Sequence, residues 1–512
     1  MTSLKLVNGK NPRQIALQVL QGRRQNGEFT EALLKRVLAP GGVSQAGEPI
    51  QSRLKAGHQT AQEPESAPGE TTSSGQRHDS PREGTRPAGA MSSADRALCQ
   101  ELVYGVVRAQ AALDWLIDRK TGARRQNAGI QNVLRLGLYQ VFWLDRVPPH
   151  AAVHETVELA KREGFGPKAG FVNAILRGYL REFDATKKML AELKETNPAI
   201  AFSHPQWLVE KWEKRFGHEP ALQLLEWNNR PPKTFARVNT LKIDAGKLLE
   251  RWRAENVEYD FFRRDFLQSR AREQADYDPE TVIFELQSHP PLASLESFRD
   301  GWFYIQDPGT LLAPLELAPK AGETILDLCA APGGKATFIA QLMSNTGKII
   351  AADVSEDRLK LLNENCVRLG VSSVEAAILP PDLSHTVQDA NCFDASTLQR
   401  FNEEFDRILI DAPCSNTGVL RRRVDLRWRI SPDELARLQK TQLGLLKVAA
   451  PKLKPGGILV YSTCSLEPEE NSSVVQEFLR ADSAFKLEHE RELLPFKDNI
   501  DGAYVARLRR AA

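Results

Sequence analysis

The chain has 512 residues, of which 41% are hydrophobic and 26% charged, with a net charge of +2. That length exceeds one ordinary domain and predicts about three, in a chain able to bury cores. The near-neutral balance excludes a nucleic-acid footprint spread over the whole surface, so any such contact must come from local basic patches.

Six cysteines are scattered without metal-ligand spacing, which reads as functional thiols in a reducing compartment, with no disulfide framework and no metal site. Residues 1–18 hold no apolar core flanked by a cleavage site, and no stretch is long and apolar enough to span a bilayer. The expectation is a cytoplasmic protein with no membrane contact, monomeric.

In chain order, helical spacing of apolar residues appears first at 14–20 (Ile15, Val19, Leu20) and 32–38, then at 97–116 (Leu98, Leu102, Val106, Val107). Between them, over 41–92, apolar content collapses in favour of Gly, Ser, Pro, Gln and Glu, the composition of a disordered insertion. Helical patterns resume at 130–144, 151–162 and 170–181, so 1–195 is expected to be an all-α domain. Residues 196–301 read as a small α+β module, with strands at 235–241 and 282–286 around a helix at 244–255. From 302 to 512, strands at 324–328, 348–354, 407–411 and 457–463 alternate with helices at 335–343, 356–369, 432–450 and 468–479, and a last strand lies at 503–508. That rhythm predicts an α/β Rossmann-like domain, a doubly wound parallel sheet.

Ligands of such sheets bind beyond the carboxyl ends of the strands. The strand 324–328 runs into Cys329-Ala330-Ala331-Pro332-Gly333-Gly334-Lys335, a small-residue turn opening a helix. A Walker loop would need Gly at 329 and Ser or Thr at 336, where Cys329 and Ala336 stand. The dinucleotide fingerprint fits no better, with Ala330-Ala331-Pro332 in place of its first glycines. Such a turn suits a carboxylate or phosphate at a helix N-terminus. Asp353, roughly 20 residues further on, stands where an acid binds ribose hydroxyls. A carboxylate and a ribose together fit S-adenosylmethionine.

Two thiols, Cys414 in Asp411-Ala412-Pro413-Cys414 and Cys464 in Ser462-Thr463-Cys464-Ser465, each follow an apolar β-branched run. Both therefore point at one crevice. Cytosine C5 is a poor nucleophile; a thiolate adding at C6 makes C5 enamine-like, able to take an electrophilic methyl before the thiol is eliminated. The chemistry needs a poised thiolate and an acid near ring N3, for which Asp411 is the natural candidate. The residues alone leave open which thiol attacks.

The runs DLCAAPGGKAT (327–337), AADVS (351–355), ILIDAPCSNTGVLRRRVDLRW (408–428) and LVYSTCSLEPEEN (459–471), with RVNTLK (237–242) and YIQDPG (304–309), resemble the RNA cytosine-C5 methyltransferase family. The N-terminal pieces ELVYGVVR (101–108), VLRLGLYQ (133–140), VPPHAAVHETVELAK (147–161) and GFVNAILRG (170–178) are similar to the bacterial small-subunit ribosomal RNA enzymes of the Sun/Fmu type, whose helical RNA-binding domain is like the antitermination factor NusB. The resemblance implies small-subunit ribosomal RNA as partner, with transfer RNA as the rival substrate and a non-catalytic RNA-binding assembly factor as the rival class. It implies Cys464 as nucleophile and Cys414 as the thiol that assists release. It implies cofactor contacts from 329–335, Asp353 and Asp411, and a third cofactor acid at Asp394, with Asp382 as rival. RNA contacts are expected at Arg237 and Asn239 in the module and at Arg421, Arg422, Arg427 and Trp428 after the catalytic loop, where arginines interleaved with an aromatic can hold phosphates and stack on a base. Lys161, Arg162, Arg177 and Arg181 are weaker candidates on the helical domain. Ala503-Tyr504 after Asp501-Gly502 departs mildly from the family's paired aromatics.

Overall fold

The computed structural model describes residues 11–26, 29–38, 91–124, 126–262, 282–379, 401 and 403–512. The rival acids Asp382 and Asp394 lie outside these residues, as does the expected insertion up to residue 90. The chain divides into two compact units, Met1–Ser203 and His204–Ala512.

The first unit is built of helices: α1 (Pro12–Asn26), α2 (Thr30–Leu38), α3 (Ser93–Arg108), α4 (Gln110–Thr121), α5 (Ala128–Trp143), α6 (Pro149–Ala160), α7 (Ala169–Arg181) and α8 (Phe183–Thr196), followed by the turn Pro198–Ala201. Leu102, Val106, Leu113, Leu116, Leu134, Leu138, Val172 and Leu176, at helical spacing, are all buried. The single helix expected at 97–116 is two. The break at Ala109 is stabilised from a distance: the Ser203 hydroxyl accepts from the backbone N–H groups of Ala111 and Ala112, 3.1 and 3.3 Å away, supplying α4 with the cap that Ala109 cannot. The unit continues to Ser203, so the expected limit at 195 falls inside the last turn of α8.

The second unit opens with the helices Gln206–Phe216 and His218–Asn229. Strands β1 (Thr234–Val238), β2 (Glu258–Phe261), β3 (Ile283–Ser288) and β4 (Phe303–Ile305) form an antiparallel sheet in the order β2-β3-β1-β4. Trp252, from the helix Ala245–Ala254, fills its core with Phe284 and Phe303. Because β4 pairs with β1, the small sheet is completed beyond the expected limit at 301.

A larger sheet follows: β5 (Thr324–Leu328), β6 (Lys348–Asp353), β7 (Val374–Ile378), β8 (Phe405–Asp411), β9 (Leu453–Thr463), β10 (Phe485–Leu493) and β11 (Ala503–Arg510), ordered β10-β11-β9-β8-β5-β6-β7. The five strands β9-β8-β5-β6-β7 are parallel, four of them as their apolar runs predict. β7, whose run Val-Glu-Ala-Ala-Ile is half-exposed at the edge opposite β10, is not among the expected strands. β11 and β10 are antiparallel additions at one edge. β10 has no counterpart among the expected strands because its alternating charges, in FKLEHEREL, mark an edge strand rather than an apolar run. Apolar cores cover both faces. Strand order reverses between β5 and β8, and at that switch point the carboxyl ends of β5, β6, β8 and β9 open a crevice.

Candidate active site

Each strand end delivers one part of the site. Beyond β5, Cys329 takes a left-handed backbone (φ 62°) and Gly333 another (φ 100°), which lets the turn 329–333 fold back against β6. Gly334 then starts the helix Gly334–Leu342, and a Cβ there would come within 3.3 Å of the Tyr304 ring. Asp353, at the end of β6, is 2% exposed and braces this turn: one carboxylate oxygen accepts from Ala331 N–H at 3.1 Å, the other from Ser355 N–H at 3.0 Å. The Cys329 thiol is pushed up, by burial first and then by the nearby Asp353 carboxylate, so it stays protonated and inert.

Asp327, inside β5, is fully buried, and neither carboxylate oxygen has a hydrogen-bond partner among the described residues. Burial, then the nearby Asp411 carboxylate, pushes its carboxyl well up. An orphaned buried acid beside a small-residue turn calls for a donor-bearing, cationic ligand. The amino and sulfonium groups of S-adenosylmethionine meet that demand, with residues 329–335 close around it and Asp353 at the next strand end.

At the ends of β8 and β9 the second half of the site assembles. Asp411 and Ser462 are register partners, and Ser462 Oγ donates to Asp411 Oδ1 at 3.0 Å. The other oxygen accepts from Lys335 Nζ at 2.7 Å. Burial would lower the Lys335 ammonium, but the Asp411 carboxylate and its hydrogen bond outweigh it, and the net direction is up. The pair thus presents a cation as its proton donor and a carboxylate as its acceptor. Lys335, expected only in the cofactor turn, thus also contacts Asp411, the residue expected as the acid.

Cys414 Sγ and Cys464 Sγ lie 3.2 Å apart. Cys464 Sγ also donates to Asn416 Oδ1 at 3.1 Å. Asn416 has φ 61°, a left-handed conformation that asparagine tolerates, and this turns its amide back over the thiols. The Cys414 thiol is pushed well up, first by its contact with Cys464 and then by burial. Gly418 locks the loops together: its N–H donates to Cys464 O at 2.9 Å, and its own carbonyl accepts from Gly502 N–H at 2.9 Å. A Cβ on Gly418 would come within 2.8 Å of Cys464 O. Asn416 and Gly418 are absent from the sequence-derived site, although both lie in the quoted run 408–428.

Of the six expected RNA contacts, four, Arg237, Asn239, Arg421 and Arg427, are buried. Arg237 is 2% exposed; its guanidinium binds Gln306, Gln341 and Thr337 and lies 4.8 Å from the Phe338 ring centroid. Asn239 is buried and donates to the carbonyls of Gly301 and Leu369, both at 2.8 Å. Arg421 is buried against Asp501, with its guanidinium 4.0 Å from the Trp227 ring centroid. Arg422 bridges Asp501 and Asp307. Arg427 is fully buried and binds Asn229 Oδ1 at 2.6 Å and Asn228 O at 2.9 Å. These donors are engaged by carboxylates, amides and carbonyls of the chain itself, so the arginines cross-link the fold. Trp428 is half-buried, and Arg423 and Arg429 are exposed.

In the helical unit three of the four weaker candidates, Lys161, Arg177 and Arg181, line one groove, and Arg162 lies outside it. A groove of about 750 Å³ between α6 and α7 is lined by His150, His154, Lys161, Asn173, Arg177 and Arg181. Lys161 pairs with Glu158 at 2.7 Å, while Arg177 and Arg181 are exposed and make no ion pair among the described residues. Elsewhere among the described residues no cluster of His, Cys, Asp or Glu could hold a metal ion, and no helix is long and apolar enough to cross a membrane.

Comparison with known proteins matches this architecture part by part. Residues 65–181 match the NusB family, residues 204–262 the "Methyltr_RsmF/B-like, ferredoxin-like domain", and residues 314–509 the family described as "16S rRNA methyltransferase RsmB/F". The "Probable ribosomal RNA small subunit methyltransferase B" of Bacillus subtilis (strain 168) is 36% identical over 401 residues, covering 77% of this chain and 82% of that protein. The "Ribosomal RNA small subunit methyltransferase B" of Escherichia coli (strain SMS-3-5 / SECEC) is 35% identical over 419 residues, covering 81% of this chain and 89% of that one. The solved structure "Crystal Structure of PH0851" shares the fold at a TM-score of 0.65 and 24% identity, over 82% of this chain and 91% of that one. The methyl donor of this fold and family is S-adenosylmethionine, for which the turn 329–335 and the orphaned Asp327 form a fitting cradle. By its homology over most of its length, the chain belongs to the RsmB/F family of 16S rRNA methyltransferases.

Proposed function

We propose that this chain methylates C5 of a cytosine in 16S ribosomal RNA, in the cytoplasm, through a covalent adduct between Cys464 and C6. The observation that carries the reading is the contact of two thiols, Cys414 and Cys464, beside the Lys335–Asp411 pair. S-adenosylmethionine, when bound, supplies an electrophilic methyl on a sulfonium sulfur. Cys464 Sγ adds as thiolate to C6, and the electrons of the C5–C6 double bond move toward the carbonyl and N3 side of the ring. Lys335 donates to that edge and neutralises the charge developing there, while Asp411 accepts from the exocyclic amine and holds the ring in plane. C5, now nucleophilic, takes the methyl as the methyl–sulfonium bond breaks. The C5 proton passes to solvent, the electrons of that C–H bond re-form the C5–C6 double bond, and the C6–S bond breaks with its electron pair returning to Cys464 as thiolate. Cys414, 3.2 Å from the departing sulfur, assists that release.

The groove between α6 and α7 supplies what the buried arginines cannot, a set of exposed cations for RNA phosphates. The direct test is bisulfite sequencing of 16S ribosomal RNA from a strain lacking this protein, before and after incubation with the purified chain and S-adenosylmethionine. A cytosine that resists conversion only after incubation is expected; uniform conversion would dismiss the reading.

A further inference from the structure

Glu470 lies in the turn Pro468–Glu470, fully buried, and touches neither thiol by hydrogen bond. Its carboxylate nevertheless joins the two segments that carry them. Oε1 accepts from Ser415 N–H at 2.8 Å and from Gln442 Nε2 at 3.1 Å. Oε2 faces the hydroxyls of Ser415 and Ser465, which lie 3.1 Å from each other. Ser415 follows Cys414, and Ser465 follows Cys464. One buried acid therefore grips the residue after each sulfur. The grip is itself held: Tyr461 donates to the Glu470 carbonyl at 2.6 Å, and Gln442 also binds Pro413 O at 2.9 Å.

We propose that Glu470 is a positioning residue that fixes Cys414 and Cys464 at contact distance and, by its charge, keeps the two thiols in different roles. The inference rests on the reading of Cys464 as nucleophile and Cys414 as the releasing thiol. With two N–H donors on Oε1 and two hydroxyls on Oε2, the hydrogen-bond pattern is that of a carboxylate, although burial pushes the Glu470 carboxyl up. The other titratable groups around the thiols are Lys335 and Asp411 on one side and Tyr461 on the other. Of these, Lys335 is coupled electrostatically to Cys464, and Glu470 to Cys414. An anion gripping the residue after Cys414 disfavours a second negative charge there, so the proton is retained on Cys414.

The test uses the full chain and Glu470→Gln, which keeps the shape and removes the charge. Two quantities are measured: the alkylation rate of each thiol by iodoacetamide from pH 6 to 10, read peptide by peptide in a mass spectrometer, and kcat and KM for methyl transfer to 16S ribosomal RNA. Wild type should alkylate faster at Cys464. E470Q should narrow that preference, with the Cys414 profile moving to lower pH, and should lose about tenfold in kcat while KM for RNA stays within about twofold. If E470Q fails to fold, Ser465→Ala, which removes one arm of the grip, should show the same kcat loss at unchanged KM. Unchanged alkylation preference and unchanged kcat would overturn the proposal. If the preference shifts as expected while neither protein methylates the RNA, Glu470 keeps its role and the proposed function falls.

Discussion

Cys414 and Cys464, 50 residues apart in the chain, bring their sulfurs to 3.2 Å at the ends of neighbouring parallel strands. The pairing of β8 with β9 aligns Asp411 with Ser462, so a similar advance beyond each strand end carries both thiols into the same crevice. The sheet register sets the contact, and the loop hydrogen bonds of Asn416 and Gly418 maintain it.

The two thiols should fail differently. Cys464→Ala should abolish methyl transfer and leave no covalent adduct. Cys414→Ala should permit addition and methylation but stall release, trapping enzyme on RNA. A denaturing gel with substrate RNA should show a retarded band for Cys414→Ala only; the opposite pattern would exchange their roles.

Asp353 braces the turn and is the acid proposed to hold the ribose of the cofactor. Asp353→Ala removes an acceptor for Ala331 N–H and for Ser355 N–H together with the carboxylate offered to the ribose. Affinity for S-adenosylmethionine should fall by roughly 1–3 kcal/mol. Titration calorimetry on both proteins measures it, and equal affinities would remove Asp353 from the pocket.

What the sequence makes legible here follows from locality. Buried parallel strands are apolar runs with a chemical residue at the end, so β5, β6, β8 and β9 and the positions of Cys329, Asp353, Asp411, Cys414 and Cys464 can be read in one dimension. The direction of an arginine cannot. Whether Arg421 faces solvent or the interior depends on Asp501, which lies 80 residues away, and on Trp227. The same applies to the helix break at Ala109, whose cap comes from Ser203, and to Glu470, which in sequence is one acid of a Pro-Glu-Glu turn. The charged edge strand β10 escapes for the opposite reason: its local pattern lacks the apolar run that marks its neighbours.

Burial of Arg427 has a consequence for stability. Arg427→Met leaves Asn228 O and the Asn229 side chain without their buried donors. Folding free energy should drop by about 1–3 kcal/mol, seen as a lower urea midpoint. RNA affinity of the folded variant should hold, since Arg427 has no exposed surface to offer a phosphate. A loss of affinity at unchanged stability would return Arg427 to the RNA interface.

A pH signature belongs to the Asp307–Arg422–Asp501 cluster. Burial first, then the Asp501 charge, lifts the Asp307 carboxyl from 3.8 to about 6, against the opposing Arg422. Between these values the unfolded chain has released its proton while the folded chain retains it. The contribution of this group to stability is therefore complete at low pH and declines as pH rises through the window. Asp307→Asn removes the titration. Plotted against pH from about 4 to 6, the stability difference between wild type and D307N should shift steadily against the wild type. Thermal melts across that range measure it, and a difference that stays constant with pH would show that Asp307 titrates normally.

The groove between α6 and α7 carries the RNA reading for the helical unit, and salt is its sharpest probe. Arg177 and Arg181 are exposed and free of ion pairs among the described residues, so each can meet a phosphate without first breaking a bond. Every phosphate neutralised releases counterions, and affinity then falls with salt at a slope of about 0.7 per contact on single strands and 0.9 on duplex. Replacing both arginines by Glu should lower affinity for 16S ribosomal RNA and flatten the slope by roughly 1.4–1.8. S-adenosylmethionine binding should be untouched, because every residue of that pocket lies at or beyond Asp327. Filter binding at several salt concentrations separates the cases. A parallel downward shift with unchanged slope would mean that the substitutions disturbed the fold without removing phosphate contacts, and an unchanged curve would place RNA recognition elsewhere on the chain.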